Sequence, residues 1–391
     1  MKHKTDLPRT ILSLALIATG VYFLISPHVR IDGSSLAFGA ELRAAQAAIS
    51  NAEPSLENAK FESRALSGLL SNELDRWAKS ATSPEWIAYA VPALDREQII
   101  CCGGRGDWNG YRDCGPCHLE DKRGENSFST GSREVKLEGP RAIFVLYRAA
   151  DGKLGKIRVV SEGCKIDAGG LRFTLLTGVA PAQSVEYLAS FVRGKYAEDR
   201  HSENVAQGAL TAIAMHGDAS ADRVLNSFVE PSQPESLRRQ TVFWLGEARG
   251  ASGFETLKQL ARAEKTTEVR SQITFALSIS RESGAIDEMI RMAHEDESTH
   301  VRGQALFWIA QKAGQKAAST ITGAIENDPD TEVKKKAVFA LTQMPNGEGV
   351  PKLIQVAQTN KNPAVRKQAM FWLGQSQDPR ALEFFEKILS R

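Results

Sequence analysis

Six segments recur on a strict period of 32 residues: VAQGALTAIAMH from Val205, LRRQTVFWLGEA from Leu237, VRSQITFALSIS from Val269, VRGQALFWIAQK from Val301, VKKKAVFALTQM from Val333 and VRKQAMFWLGQS from Val365. A constant period with apolar residues at fixed positions means stacked copies of one supersecondary unit, each burying its apolar face against the next. That fixes the architecture of the C-terminal half. It also favours a binding surface over an enzyme pocket, because stacked helical units build extended faces.

Each unit reads as two helices. Val301, Ala305, Trp308 and Ile309 trace one helical stripe. A second helix follows, with apolar positions Leu257, Met289, Ile321, Leu353 and Phe385 again 32 apart. The loops EKTTEVR, EDESTHVR, NDPDTEVK and NKNPAVR supply Asp, Ser, Thr, Asn and Pro, the residues that start helices. Residues 182–391 are therefore expected to form an all-α solenoid of about six units.

The block [VL]-[RK]-x-[QK]-[ATI]-x-F-[WA]-[LI] in five consecutive units resembles HEAT repeats of the short type seen in bilin-lyase-like proteins. The resemblance covers over half the chain. It implies an α-solenoid fold and leaves the activity open, since such arrays serve scaffolds, nucleic-acid binders, chromophore lyases and an iron hydroxylase. The hydroxylase type binds iron through repeated His-Glu pairs, and here only His294-Glu295 matches. No lyase residue transfers either.

The N-terminus points to export. Lys2, Lys4 and Arg9 precede the uncharged run Ile11 to Ser26, so residues 1–40 read as a signal anchor or signal peptide, with a membrane contact through residues 11–26. The remainder would then face the periplasm, anchored to the inner membrane or released. Charged residues make up 25% and the net charge is only +2, which argues against a strongly electrostatic partner such as duplex DNA.

Residues 41–181 differ in character and read as a small α+β domain. Helices are expected at 41–50 and 62–80, a strand from Glu85, a hairpin from Arg141 turning near Asp151-Gly152, and a strand from Leu171. All five cysteines fall here: Cys101, Cys102, Cys114, Cys117 and Cys164, with His118 next to Cys117. Four chemistries fit. Structural disulfides suit an oxidising compartment, with Cys164 as the spare thiol. Two Cys groups plus His118 could hold zinc. Cys114-Gly115-Pro116-Cys117-His118 is also the pattern of c-type haem attachment, and Cys-Gly-Pro-Cys that of a thioredoxin-like centre. The domain has a loose likeness to exported bacterial proteins of unassigned role that carry a Cys-rich loop before a HEAT array, a likeness that leans to the structural reading. No cofactor is expected on that reading.

Two further ladders run through the array. Arg238, Arg270, Arg302, Lys334 and Arg366 share one offset, and are expected to pair with loop acids such as Glu235, Glu268, Asp296 or Asp330 rather than to bind an external anion. Phe243, Phe275, Phe307, Phe339 and Phe371 share another, and most are expected to be buried between units. Trp244, Trp308 and Trp372 alternate with Ala276 and Ala340, which suits a packed core. The chain thus reads as a scaffold for another protein rather than as an enzyme, with a HEAT-type lyase or hydroxylase-like enzyme as a minor alternative. The alternative is a redox or haem-bearing protein using Cys114, Cys117 and His118.

Overall fold

The computed structural model describes residues 48–94, 99–100, 117–120, 128–129, 141–193, 200–312 and 314–390. The expected membrane run 11–26, with the rest of residues 1–40, lies outside them, as do Cys101, Cys102 and Cys114. Among the described residues, no helix is long and apolar enough to cross a membrane.

The N-terminal part is a layered α+β unit. In chain order it holds β1 (Ser55–Glu57), β2 (Lys60–Ala65), α1 (Leu70–Ser80), β3 (Glu85–Pro92), β4 (Ile99–Ile100), β5 (Cys117–His118), β6 (Phe128–Ser129), β7 (Ala142–Ala150), β8 (Lys153–Ser161), β9 (Lys165–Asp167) and β10 (Arg172–Thr177). The main sheet runs β2-β10-β3-β7-β8, parallel over its first three strands and antiparallel over the rest. A small parallel sheet, β1-β9-β5, lies apart from it. The β7–β8 hairpin turns at Asp151 and Gly152, both with positive φ (52° and 72°), the geometry that an Asp-Gly pair favours between twisted strands.

One expected helix is corrected. Residues 62–80 are not continuous, because Lys60–Ala65 forms β2 and pairs with Arg172–Thr177. Gly68, at φ 91°, breaks the chain between strand and helix. The helical spacing of Leu70, Leu74 and Trp77 belongs to α1 alone.

Strand β3 shows how the sheet is used. Trp86, Ala88 and Ala90 face one side, and Ile87, Tyr89 and Val91 the other, yet all are buried. A period-2 strand with both faces apolar must be covered twice. The Trp86 face packs with Phe144, Phe173 and the small sheet's Ile166. The Tyr89 face packs on α1, α2 (Pro181–Val192) and α3 (Arg200–Met215).

From α3 onward the helices alternate in pairs: α4 (Ser220–Phe228), α5 (Glu235–Ala248), α6 (Gly250–Ala263), α7 (Thr267–Ile279), α8 (Ala285–Glu295), α9 (Thr299–Lys312), α10 (Gly314–Asn327), α11 (Thr331–Thr342), α12 (Val350–Thr359), α13 (Pro363–Gln375) and α14 (Pro379–Leu389). Val269, Val301, Val333 and Val365 are buried, as are Leu257, Met289, Ile321 and Leu353 one helix later. In the last unit Phe384 fills the core and Phe385 is only half-buried. The apolar cluster starting at Leu70 in α1 runs unbroken to Phe384, so the sheet closes the first open end of the solenoid. That is the covering a terminal repeat requires.

Gly208 in α3 marks one of the close approaches in this joint. A Cβ there would stand 2.4 Å from the Ile157 carbonyl oxygen of β8. Gly208→Ala is expected to destabilise the protein by about 1–3 kcal/mol through overpacking. A chemical denaturation midpoint equal to wild type would show that the joint can open at no cost.

Candidate functional site

Cys117 and Cys164 lie in the layer on the outer face of the main sheet, in the cluster of Trp86, Phe144 and Phe173. Both are buried, and neither stands as a titrating thiol. This placement gives no support to Cys164 as a spare thiol. The segment after Cys117 is pinned by Glu120, which accepts from Trp86 Nε1 at 2.8 Å and from Arg148 Nη2 at 2.8 Å. His118 is more than half exposed, and its Nδ1 lies 2.9 Å from Asp167 Oδ2. The other oxygen of Asp167 accepts from Gly169 N at 2.8 Å and Asn58 Nδ2 at 3.1 Å. Among the described residues, no group of three or more His, Cys, Asp or Glu could hold a metal ion.

The cationic ladder forms a lattice inside the array. Arg238 pairs with Glu264, Arg270 with Asp296 at 2.9 Å, and Arg302 with Asp328 at 2.8 Å. Each partner lies 26 residues further on, where the second helix of the unit ends. Successive cations clamp the same loop from two sides. Asp296 accepts from Arg270 through its carboxylate and from Arg302 Nη1 through its backbone carbonyl, the latter at 2.9 Å. Of the expected acids only Asp296 serves this role. Glu235 instead lies 3.7 Å from Arg239, and Asp330 caps α11 through the amides of Glu332 and Val333. The reason is reach: an acid at the start of the first helix lies beside its own helix, whereas the residue ending the second helix faces the buried guanidinium.

The aromatic ladder stands elsewhere, and its rings are partly rather than fully buried. Phe243, Phe275, Phe307 and Phe339 are half-buried, and Phe371 is 53% exposed. At about 100° per residue, the Phe position is rotated about 120° from the Val stripe, which puts it at the rim of the core. Trp244 is buried, while Trp308 and Trp372 are half-buried. The rings form one continuous row. Phe243 stacks on Phe275 at 6.2 Å and Phe307 on Phe339 at 6.1 Å. Trp308 bridges Phe275 and Phe307 at 4.9 and 4.8 Å, and Trp372 bridges Phe339 and Phe371 at 4.9 and 5.0 Å.

Beside this row lies a second ladder that the ring pattern overshadowed. Gln240, Gln272, Gln304, Lys336 and Gln368 recur three residues before each Phe. All five are half-buried. Gln240, Gln272, Phe243 and Trp244 line a depression of about 540 Å³ with Gln207 and Arg239. A second, of about 320 Å³, is lined by His300, Gly303, Gln304, Phe307, Lys336 and Phe339. Neither is lined by an Asp or Glu. Amides that both donate and accept, next to apolar rings, suit a polypeptide, whose main chain offers both groups. The signal was present as the [QK] position of the repeat block, although exposure could not be read from it.

The family model for HEAT repeats matches residues 318–391. Solved structures similar to the chain include YibA of E. coli, at 20% identity over 54% of this chain and 79% of that one, with a TM-score of 0.34. Another is the complex of CpcE and CpcF of phycocyanin lyase from Nostoc sp. PCC7120, at 16% identity over 50% and 77%, with a TM-score of 0.27. A third is human deoxyhypusine hydroxylase in complex with glycerol, at 16% identity over 54% and 78%, with a TM-score of 0.23. No curated protein matches the chain.

Proposed function

We propose that this chain is a protein-binding scaffold whose helical-repeat array holds an extended segment of another protein along the Phe–Gln face. The observation that carries the reading is the row of partly exposed rings flanked by partly exposed amides over successive units. A packed core would hide such rings, and a merely solvated face would not keep them in register. Main-chain hydrogen bonds to Gln side chains would give affinity, and rings would take alternate side chains of the bound segment.

The test is a displayed library of random peptides panned against the purified protein. Selected peptides are expected to bind at least about tenfold more weakly to a Gln272→Ala, Gln304→Ala, Phe307→Ser variant. Equal binding by that variant would sink the assignment of this face.

The reading also places the protein outside the cytoplasm, with residues 11–26 as anchor or signal and the outer layer cross-linked through Cys117 and Cys164. It draws on the basic flank of the apolar run and on the burial of both sulfurs. Two measurements check it. Protease added to spheroplasts should digest the array, and unreduced peptide mapping should recover both cysteines in cross-linked fragments. Digestion only after lysis, or alkylation of both thiols without reductant, would reverse it.

A further inference from the structure

Among the described residues two cations of the ladder meet no acid: Arg366, which holds the backbone carbonyls of Asn360 and Lys361 at 2.8 and 3.1 Å, and Lys334, beside which a cavity lies. The acids at positions 264, 296 and 328 are followed, 32 residues on, by Asn360. The matching cation is Lys334, which in place of a carboxylate meets the Glu326 backbone carbonyl at 2.8 Å. Among the described residues no acid lies within ion-pair distance of Lys334, Lys352 or Lys361. These three lysines line a cavity of about 460 Å³ between α10 and α12, together with Glu326, Gln355 and Asn360.

We infer that this cavity is a binding site for a carboxylate, supplied from outside the chain where the repeat has lost its own. The charge balance favours it. Three lysines face one glutamate, and the C-terminal ends of α10 and α12 add about half a negative charge each. About one positive unit remains. Asn360, Gln355 and Lys334 are all donors, so a bound carboxylate would find partners for both oxygens. The inference is independent of the Phe–Gln face, because the cavity is lined mainly by second helices.

The experiment is calorimetric titration of the full chain with succinate, a blocked diglutamate peptide and inorganic phosphate. A carboxylate probe is expected to bind saturably at one site. Asn360→Asp restores the acid of the other units and keeps the acceptor for Asn362 N, now at 2.9 Å. It should fold as well as wild type and bind about tenfold more weakly or worse, as one added charge a few ångström away requires. Lys334→Met should weaken binding in the same way. Tighter binding of the peptide than of succinate would assign the carboxylate to a protein partner, and the reverse order to a free acid. Both support the site. Binding undiminished in Asn360→Asp, phosphate bound in preference to both carboxylates, or no saturable binding by wild type would overturn it.

Discussion

Arg302→Ala should destabilise the array by about 3–5 kcal/mol, the cost of leaving a buried charge without its partner. The side chains of Arg302 and Asp328 are 9% and 6% exposed, so water cannot replace the lost guanidinium. The variant would also release the carbonyls of Asp296 and Glu297, which Arg302 Nη1 holds at 2.9 and 3.3 Å. The loss is therefore felt in the loop shared with the preceding unit as well. Two controls separate this from a general effect of mutation. The double replacement Arg302→Met, Asp328→Leu removes both charges and is expected to fall within about 1 kcal/mol of wild type or above it. Lys334→Ala, at a broken rung, should cost less than about 1 kcal/mol because no paired acid is stranded. Urea unfolding of the four proteins measures all three. A loss under about 1 kcal/mol for Arg302→Ala would mean that the lattice is ornamental to stability.

What could be read from the chain alone was whatever depends on local periodicity. The buried Val269, Val301 and Val333 follow from the 32-residue repeat, and the Asp151-Gly152 turn follows from two residues that tolerate positive φ. Strand β2 was hidden because all of its residues are exposed, so its pattern carries no buried face and only pairing with β10 defines it. The partners of Arg238 and Arg302 were hidden for a different reason. They lie a whole helix away, at a spacing that no single-helix pattern encodes. The Phe ladder shows a third limit, since a repeated aromatic position announces register but not which side of the rim its ring takes. The groove could be named only once the Gln ladder was seen to share that rim.

Acidification should weaken the joint between sheet and array through His216. This residue is wholly buried where the chain leaves α3, and it bridges to Ala93 just after β3. Its Nδ1 accepts from the Asp218 amide at 3.1 Å, which places the neutral ring's proton on Nε2, a buried atom with no hydrogen-bond partner among the described residues. A second proton would set an N–H against that amide N–H. Burial holds the imidazole pKa down at about 4; the nearby Asp218 pulls it up, and the adjacent Arg249 pushes it further down. Arg249 is itself fixed to the His216 carbonyl at 2.7 Å and to Asp222 at 2.7 Å, so it cannot withdraw. The sign follows from the two states. Above about pH 6.5 the ring is neutral both folded and unfolded, and the folded state bears no penalty. As pH falls from there toward 4, the unfolded chain takes up a proton that the folded chain refuses, and stability is lost. The loss saturates below that value at about 3 kcal/mol. Carboxylates elsewhere also titrate in acid, so the His216 share is read as a difference. His216→Asn keeps an oxygen to accept the Asp218 amide and cannot charge. Between pH 7 and 4.5 it should lose about 2 kcal/mol less than wild type in urea unfolding. Parallel stability curves for the two proteins would mean that His216 accepts its proton in the folded joint, and that the joint is open enough to solvate it.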